Sequence, residues 1–132
     1  MNKNDMKKTL LGLLGAMTTL AGCSDKNIQT VDATQFEQLV QAGKVQLLDI
    51  RTAGEYAEGF IPGAVNIDVN QSDFVEKAEQ QLGKDRPVAV YCRSGHRSMM
   101  GAQQLVKAHY KVINLDGGII AWSAAGKPTR RP

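Results

Sequence analysis

Hydrophobic positions change their period several times along this chain. Phe36, Leu39 and Val40 recur three and four apart, after the helix-start residues Val31-Asp32-Ala33-Thr34 and before Gly43, which predicts an amphipathic helix ending at that glycine. Val45 to Ile50, V-Q-L-L-D-I, is a short apolar run of the kind that forms a buried strand. Thr52 to Gly59 has room for one or two helical turns, Ile61-Pro62-Gly63-Ala64 reads as a turn, and Val65-Asn66-Ile67 as a brief strand. A second amphipathic helix is predicted over Ser72 to Leu82, starting at Ser72 or Asp73, with Phe74, Val75, Ala78 and Leu82 inward. Pro87 to Tyr91 is the most continuous apolar strand, and Cys92 follows it directly. Ser98 to His109 then reads as a helix on Met99, Ala102, Leu105 and Val106, Lys111 to Leu115 as a strand, and Gly117-Gly118 leads into a last helix around Ile120, Trp122 and Ala125. Strands separated by helices of this length predict an α/β fold with a mainly parallel sheet and helices on its faces. Ligands of such sheets sit outside the carboxyl ends of strands, where Cys92 falls.

Composition narrows the class. At 132 residues and 42% hydrophobic content the chain suits one domain, and 22% charge with 13 glycines excludes a disordered or collagen-like chain. Two cysteines, Cys23 and Cys92, exclude a disulfide-built scaffold and a zinc site made of four thiolates; at most they make one disulfide.

The N-terminus reads as an address. Lys3, Lys7 and Lys8 precede an uncharged, largely apolar run of 14 residues from Thr9 to Gly22. That is shorter than the ~20 residues a helix needs to span a bilayer, so a secretory signal explains it better than a permanent span. Leu20-Ala21-Gly22-Cys23 resembles the lipobox of bacterial lipoproteins, in which the cysteine sulfur receives a diacylglycerol and cleavage leaves that cysteine first; the bland alternative is an ordinary signal peptide with a nearby cysteine. Residues 1–22 are therefore expected to be a signal peptide, 23–30 a polar lipidated tether, 31–128 the domain and 129–132 a tail. Aspartate directly after the lipidated cysteine tends to retain Gram-negative lipoproteins in the inner membrane; here that position is Ser24, which favours the periplasmic face of the outer membrane. Without residues 1–22 the charge falls from +3 to +1, with 13 basic and 12 acidic residues. Apart from Arg130-Arg131 no basic run remains, which argues against nucleic acid as a partner.

Candidate chemistry is concentrated in Tyr91-Cys92-Arg93-Ser94-Gly95-His96-Arg97-Ser98, between a buried strand and a helix start. A helix N-terminus offers unpaired N–H groups and a positive dipole end to an anion, and the same field lowers the pKa of a cysteine placed there. Gly95 lets the backbone curl with its amides inward. Arg93 and Arg97 add positive charge, and Ser98 is the expected cap of the helix. The competing reading makes Cys92 a buried small hydrophobe; two arginines, a histidine and a glycine within five residues fit that poorly. If Cys23 is acylated, Cys92 is left as one unpaired thiol in an oxidising space.

With these residues in place, the chain resembles the rhodanese (sulfurtransferase) superfamily as a single-domain member over Val31 to Pro128. The resemblance is carried by L-L-D-I-R at Leu47 to Arg51, E-Y-A-E-G-F-I-P-G-A-V-N-I at Glu55 to Ile67, Y-C-R-S-G-H-R-S at Tyr91 to Ser98 and L-D-G-G-I-I-A-W at Leu115 to Trp122. Phe60 departs from the histidine common in the family before Ile-Pro-Gly-Ala. The resemblance implies a persulfide mechanism: Cys92 takes sulfane sulfur from thiosulfate, a persulfide or a polysulfide and passes it to cyanide or a thiol. It implies no cofactor beyond that covalent intermediate, with backbone amides of Arg93, Ser94, Gly95, His96, Arg97 and Ser98 cradling the sulfur. The side chains of Arg93, His96 and Arg97 would orient an anionic donor, and Asp49 with Arg51 would form a structural ion pair.

Phosphatases of related folds place five residues between cysteine and arginine; Cys92 and Arg97 have four, a loop suited to one sulfur atom and not to phosphate. A sulfur carrier or sulfane-sulfur-binding module serving a periplasmic protein is the alternative to a turning-over enzyme. His96 belongs to the anion-binding loop and not to a metal site, His109 is expected at the surface and Trp122 in the core. No metal, nucleotide or flavin motif is present in the sequence.

Overall fold

A computed structural model describes residues 25–132. The expectations for residues 1–22 and for Cys23 lie outside the described residues. In chain order the elements are β1 (Ile28–Val31), α1 (Ala33–Gln41), β2 (Gln46–Asp49), α2 (Ala53–Glu58), β3 (Val65–Asn66), α3 (Phe74–Gln81), β4 (Val88–Tyr91), α4 (His96–Lys107), β5 (Val112–Leu115) and α5 (Gly118–Ala124). The strands form one parallel sheet in the order β1-β5-β4-β2-β3. This is the α/β arrangement, a parallel sheet between helices, that the alternating pattern predicts.

Successive strand residues point to opposite faces, and both faces are covered, so strand and helix residues sort into two cores. Val88, Val90, Leu48 and Val112 pack with Phe74, Ala78, Ala102 and Leu105 from α3 and α4. Ala89, Tyr91, Leu47, Ile113 and Leu115 pack with Phe36 from α1, Ile61 and Trp122 from α5. Phe36 sits edge-on to Tyr91 and to Trp122, with ring centroids 6.5 and 6.3 Å away. Burying each such large side chain contributes about 1.5–3 kcal/mol.

Helix starts follow the local chemistry. Asp32 and Thr52 each close a capping box, with Gln35 and Glu55 respectively reaching back to the cap amide. Asp73 precedes α3, as the sequence suggests.

The structure departs from the sequence reading at the start of the domain. Ser24 to Thr30 was expected as a tether; instead Ile28 to Val31 pairs in register with Val112 to Leu115 as an edge strand. Ile28 and Val31 are buried while Gln29 and Thr30 face solvent, so half of its side chains look like loop. At the other end α5 stops at Ala124, one residue short of the Ala125 around which the last helix is predicted, and Ala125 is exposed. Trp122 is buried and its indole N–H donates to the Pro128 carbonyl at 2.8 Å, while His109 is exposed. The tail is pinned as well: Phe60 and Arg130 exchange both backbone hydrogen bonds at 2.8 Å.

Candidate active site

β4 lies between β5 and β2, and all four of its residues are buried. The chain emerges from its carboxyl end at Cys92 and turns back into α4. The turn rests on Gly95, whose φ of 107° lies in the left-handed region that glycine adopts without a Cβ penalty. Gly95 is the residue before the helix, and His96 begins it.

That geometry corrects the role expected for Ser98. The helix starts two residues earlier than the apolar spacing suggested, so Ser98 sits inside the first turn and is not its cap. Its hydroxyl instead donates to the Gly95 carbonyl at 3.0 Å and stands 3.5 Å from the Cys92 sulfur. The backbone N–H groups of Gly95 and Ser98 donate to that sulfur at 3.1 and 3.3 Å. Two amides and a hydroxyl thus converge on one sulfur atom at a helix N-terminus.

Cys92 is only 1% exposed, and burial, the largest single influence, pushes its thiol pKa up. The Ser98 hydroxyl and the amides of Ser98, Gly95 and Ser94 act the other way and together prevail, leaving the thiol below its ordinary value. Hydrogen bonds to the charged form outweigh desolvation when several converge. Among the described residues Cys92 is the one cysteine, and it is free.

The two arginines of the loop differ in what they do. Arg93 is exposed at the loop's outer side, as is His96. Arg97, expected to face an anionic donor, is held by Glu55: its Nη1 and Nη2 donate to the two carboxylate oxygens at 2.7 and 2.8 Å. The Arg97 guanidinium holds the Glu55 carboxyl down to about 2, and the pair in turn raises Arg97. Glu55 was not singled out from the sequence. Its signal was the T-x-x-E capping box with Thr52, which announces a helix start and says nothing of a partner 42 residues away.

Asp49 and Arg51 form the expected ion pair, buried, with Nη2 to Oδ2 at 2.6 Å. The Tyr91 hydroxyl donates to Asp49 Oδ2 at 2.7 Å and accepts from the Ile61 N–H at 3.0 Å. Burial and Asp49 both push that hydroxyl well up, so it stays protonated and keeps donating. Arg51 also donates to the Gly59 carbonyl at 2.7 Å. The residue before Cys92 is thereby tied to β2 and to the chain after α2.

A cleft of about 400 Å³ opens beside the loop, walled by Arg51, Glu55, Glu58, Arg93, Ile119, Ile120 and Thr129. Its floor is bonded to the loop: the N–H groups of Ile119 and Ile120 donate to the carbonyls of Cys92 and Arg93 at 2.9 and 3.1 Å. Gly118 makes this approach possible, since a Cβ there would overlap the Cys92 and Arg93 carbonyls. Among the described residues no three His, Cys, Asp or Glu side chains gather as metal ligands.

Comparison with known proteins places this geometry. Residues 32–125 match the family model described as Rhodanese-like domain. The chain is 37% identical over 107 residues to a sulfurtransferase of Allochromatium vinosum, covering 80% of this chain and 97% of that protein. It is 35% identical over 97 residues to the thiosulfate sulfurtransferase GlpE of Shewanella oneidensis, covering 72% and 92%. The solution structure of a rhodanese-like domain from Anabaena sp. superposes with a TM-score of 0.70 at 29% identity, over 78% of this chain and 79% of that one.

Proposed function

Since the chain belongs to the rhodanese-like domain family, whose relatives named above support a sulfurtransferase-type role, we propose that it moves sulfane sulfur through a persulfide on Cys92. The observation that carries this reading is the convergence of the Gly95 and Ser98 amides on the Cys92 sulfur. Such donors stabilise negative charge both on the attacking thiolate and on the persulfide that replaces it.

In the first half-reaction the Cys92 thiolate attacks the sulfane sulfur of thiosulfate. A Cys92 S–S bond forms, the sulfur–sulfur bond of thiosulfate breaks, and sulfite leaves with the electron pair. In the second, a nucleophilic acceptor attacks the outer sulfur. Cyanide leaves as thiocyanate or a thiolate as an organic persulfide, and the Cys92 thiolate is restored. No outside oxidant or cofactor is consumed. Exposed Arg93 supplies positive charge and exposed His96 a polar side chain to orient the anionic donor, while Arg97 acts through Glu55 to hold the loop. A persulfide or polysulfide donor follows the same course, with a thiolate as leaving group.

The test is mass spectrometry of the protein after thiosulfate treatment. One sulfur is gained and cyanide removes it; a Cys92→Ser variant that still gains the sulfur overturns the mechanism. A carrier role for a partner protein is favoured by Ile120, half exposed on the cleft wall. Catalytic turnover on thiosulfate points to the enzyme, and one-for-one loading released only by a protein acceptor points to the carrier.

The envelope address belongs to the same proposal. Cys23 carries the lipid, and the domain stands on the periplasmic face of the outer membrane. Among the described residues no helix is long and apolar enough to cross a membrane. Cys23→Ser is expected to abolish lipid attachment; a Cys23→Ser protein processed and released like the parent chain overturns the anchor.

A further inference from the structure

The charges of the domain are sorted by end of the sheet. All five strands run parallel, so one end of the sheet collects their starts and the other their ends. Six exposed cations stand at the starting end: Lys26 before β1, Lys44 before β2, Lys84 and Arg86 before β4, Lys107 at the close of α4 and Lys111 before β5. Backbone bonds knit this rim together, Val112 N–H to Asn27, Val88 N–H to Lys111 and Gln46 N–H to Pro87, at 2.9 Å each. Lys84 donates to the Ala108 carbonyl and Arg86 to the Gly43 carbonyl, joining the end of α4 and the approach to β2.

Three acidic residues, Asp25, Glu79 and Asp85, share that end, so it carries three positive charges in excess. The described residues hold 13 basic and 12 acidic side chains; the rest of the domain is left with seven and nine. A net charge near zero therefore conceals an uneven distribution, with the basic excess where the strands begin.

This excess coincides with the place where the chain enters. Asp25 belongs to the basic end and follows Cys23 by two residues. We propose that the basic end is a docking surface for anionic phospholipid headgroups, so that the domain stands on the bilayer with its Cys92 loop facing away. The proposal rests on Cys23 being the lipid-bearing residue. Two extended residues span about 7 Å, less than the ~8 Å over which charge acts at physiological ionic strength. The nearest cations thus lie inside the field of an anionic surface, which attracts each of them. Strands of four residues carry the chain another ~13 Å before the loop is reached, which leaves the cleft open to diffusing donors and acceptors.

The test uses the full lipidated chain on vesicles of phosphatidylcholine, with or without phosphatidylglycerol, labelled by a water-soluble amine-acylating reagent. Labelling of Lys84 is expected to fall at least threefold, roughly, on the anionic vesicles relative to the neutral ones, and to recover at ~1 M salt. Lys77, in its ion pair with Asp73 on α3, labels equally on both. The triple variant Lys26→Glu, Lys44→Glu, Lys111→Glu is expected to float with both vesicles, unfold like the parent and lose the protection of Lys84. A chain that floats with both vesicles but labels equally at Lys84 overturns the docking surface alone. A chain that fails to float with either overturns the lipid anchor, and the docking with it.

Discussion

Glu55 and Arg97 face each other as a two-pronged pair, carboxylate to guanidinium, at 2.7 and 2.8 Å, and so fasten the first turn of α2 to the first turn of α4. The loop that carries Cys92 ends in that turn. The pair is partly buried, and its two hydrogen bonds outweigh the desolvation that opposes them, so losing it by Glu55→Gln is expected to destabilise the fold by about 1–2 kcal/mol. The Glu55 carboxyl is held at about 2. A lowered carboxyl contributes stability that is complete above its unfolded value of ~4.3 and is lost as pH falls through the folded one. Urea unfolding between those limits should therefore show a steeper acid loss in the parent chain than in Glu55→Gln.

The thiol of Cys92 should react as a thiolate at lower pH than an ordinary cysteine. Alkylation rate against pH is expected to show a midpoint below that of an unperturbed cysteine thiol, because the Ser98 hydroxyl and the converging amides outweigh burial. Ser98→Ala removes the hydroxyl that pairs with the Cys92 sulfur and leaves the amides in place. Its midpoint should move upward while the folded structure, followed by circular dichroism, stays the same.

Asp49 is fully buried and has two partners that do different work. Arg51→Met leaves its carboxylate without a counter-charge, a change expected to cost about 3–5 kcal/mol. Tyr91→Phe removes one hydrogen bond to that carboxylate and one from Ile61, at about 1–3 kcal/mol, with the ion pair intact. Equal losses in the two variants, measured by chemical unfolding, would contradict this division.

Gly118 takes φ 60° and lies against the carbonyls of Cys92 and Arg93. Gly118→Ala forces α5 away from the loop and strains the backbone at the same residue. The expected result is a destabilisation of about 2 kcal/mol or more and a slower thiosulfate loading of Cys92. Gly43→Ala, equally left-handed but with open space around its added methyl, pays only the backbone strain and loads at the parent rate.

The sheet was legible where burial is two-sided. β4 reads V-A-V-Y because both faces are covered, and α1 shows Phe36, Leu39 and Val40 because one face is. β1 was missed for the complementary reason: as an edge strand it buries only Ile28 and Val31, and two apolar residues around Gln29-Thr30 carry no period. Within the site, Cys92 and its glycine-bearing loop stood out by local chemistry. The start of α4 did not, since a left-handed Gly95 begins a helix as well as a serine does and leaves no polar cap to read. Nor did the Glu55–Arg97 pair, whose two members are joined only by the parallel return of the chain across the sheet.

The bridge between Phe60 and Arg130 bears on how this protein is handled. Thr129 forms part of the cleft wall, Arg130 is bound in both directions to Phe60, and Arg131 donates to the Glu58 carbonyl at 3.1 Å. The final residues are therefore delivered to the doorway of the cleft. Anything joined after Pro132, whether an affinity tag or a second domain, begins its path beside Glu58 at the edge of the cleft and competes with donor and acceptor for the same approach.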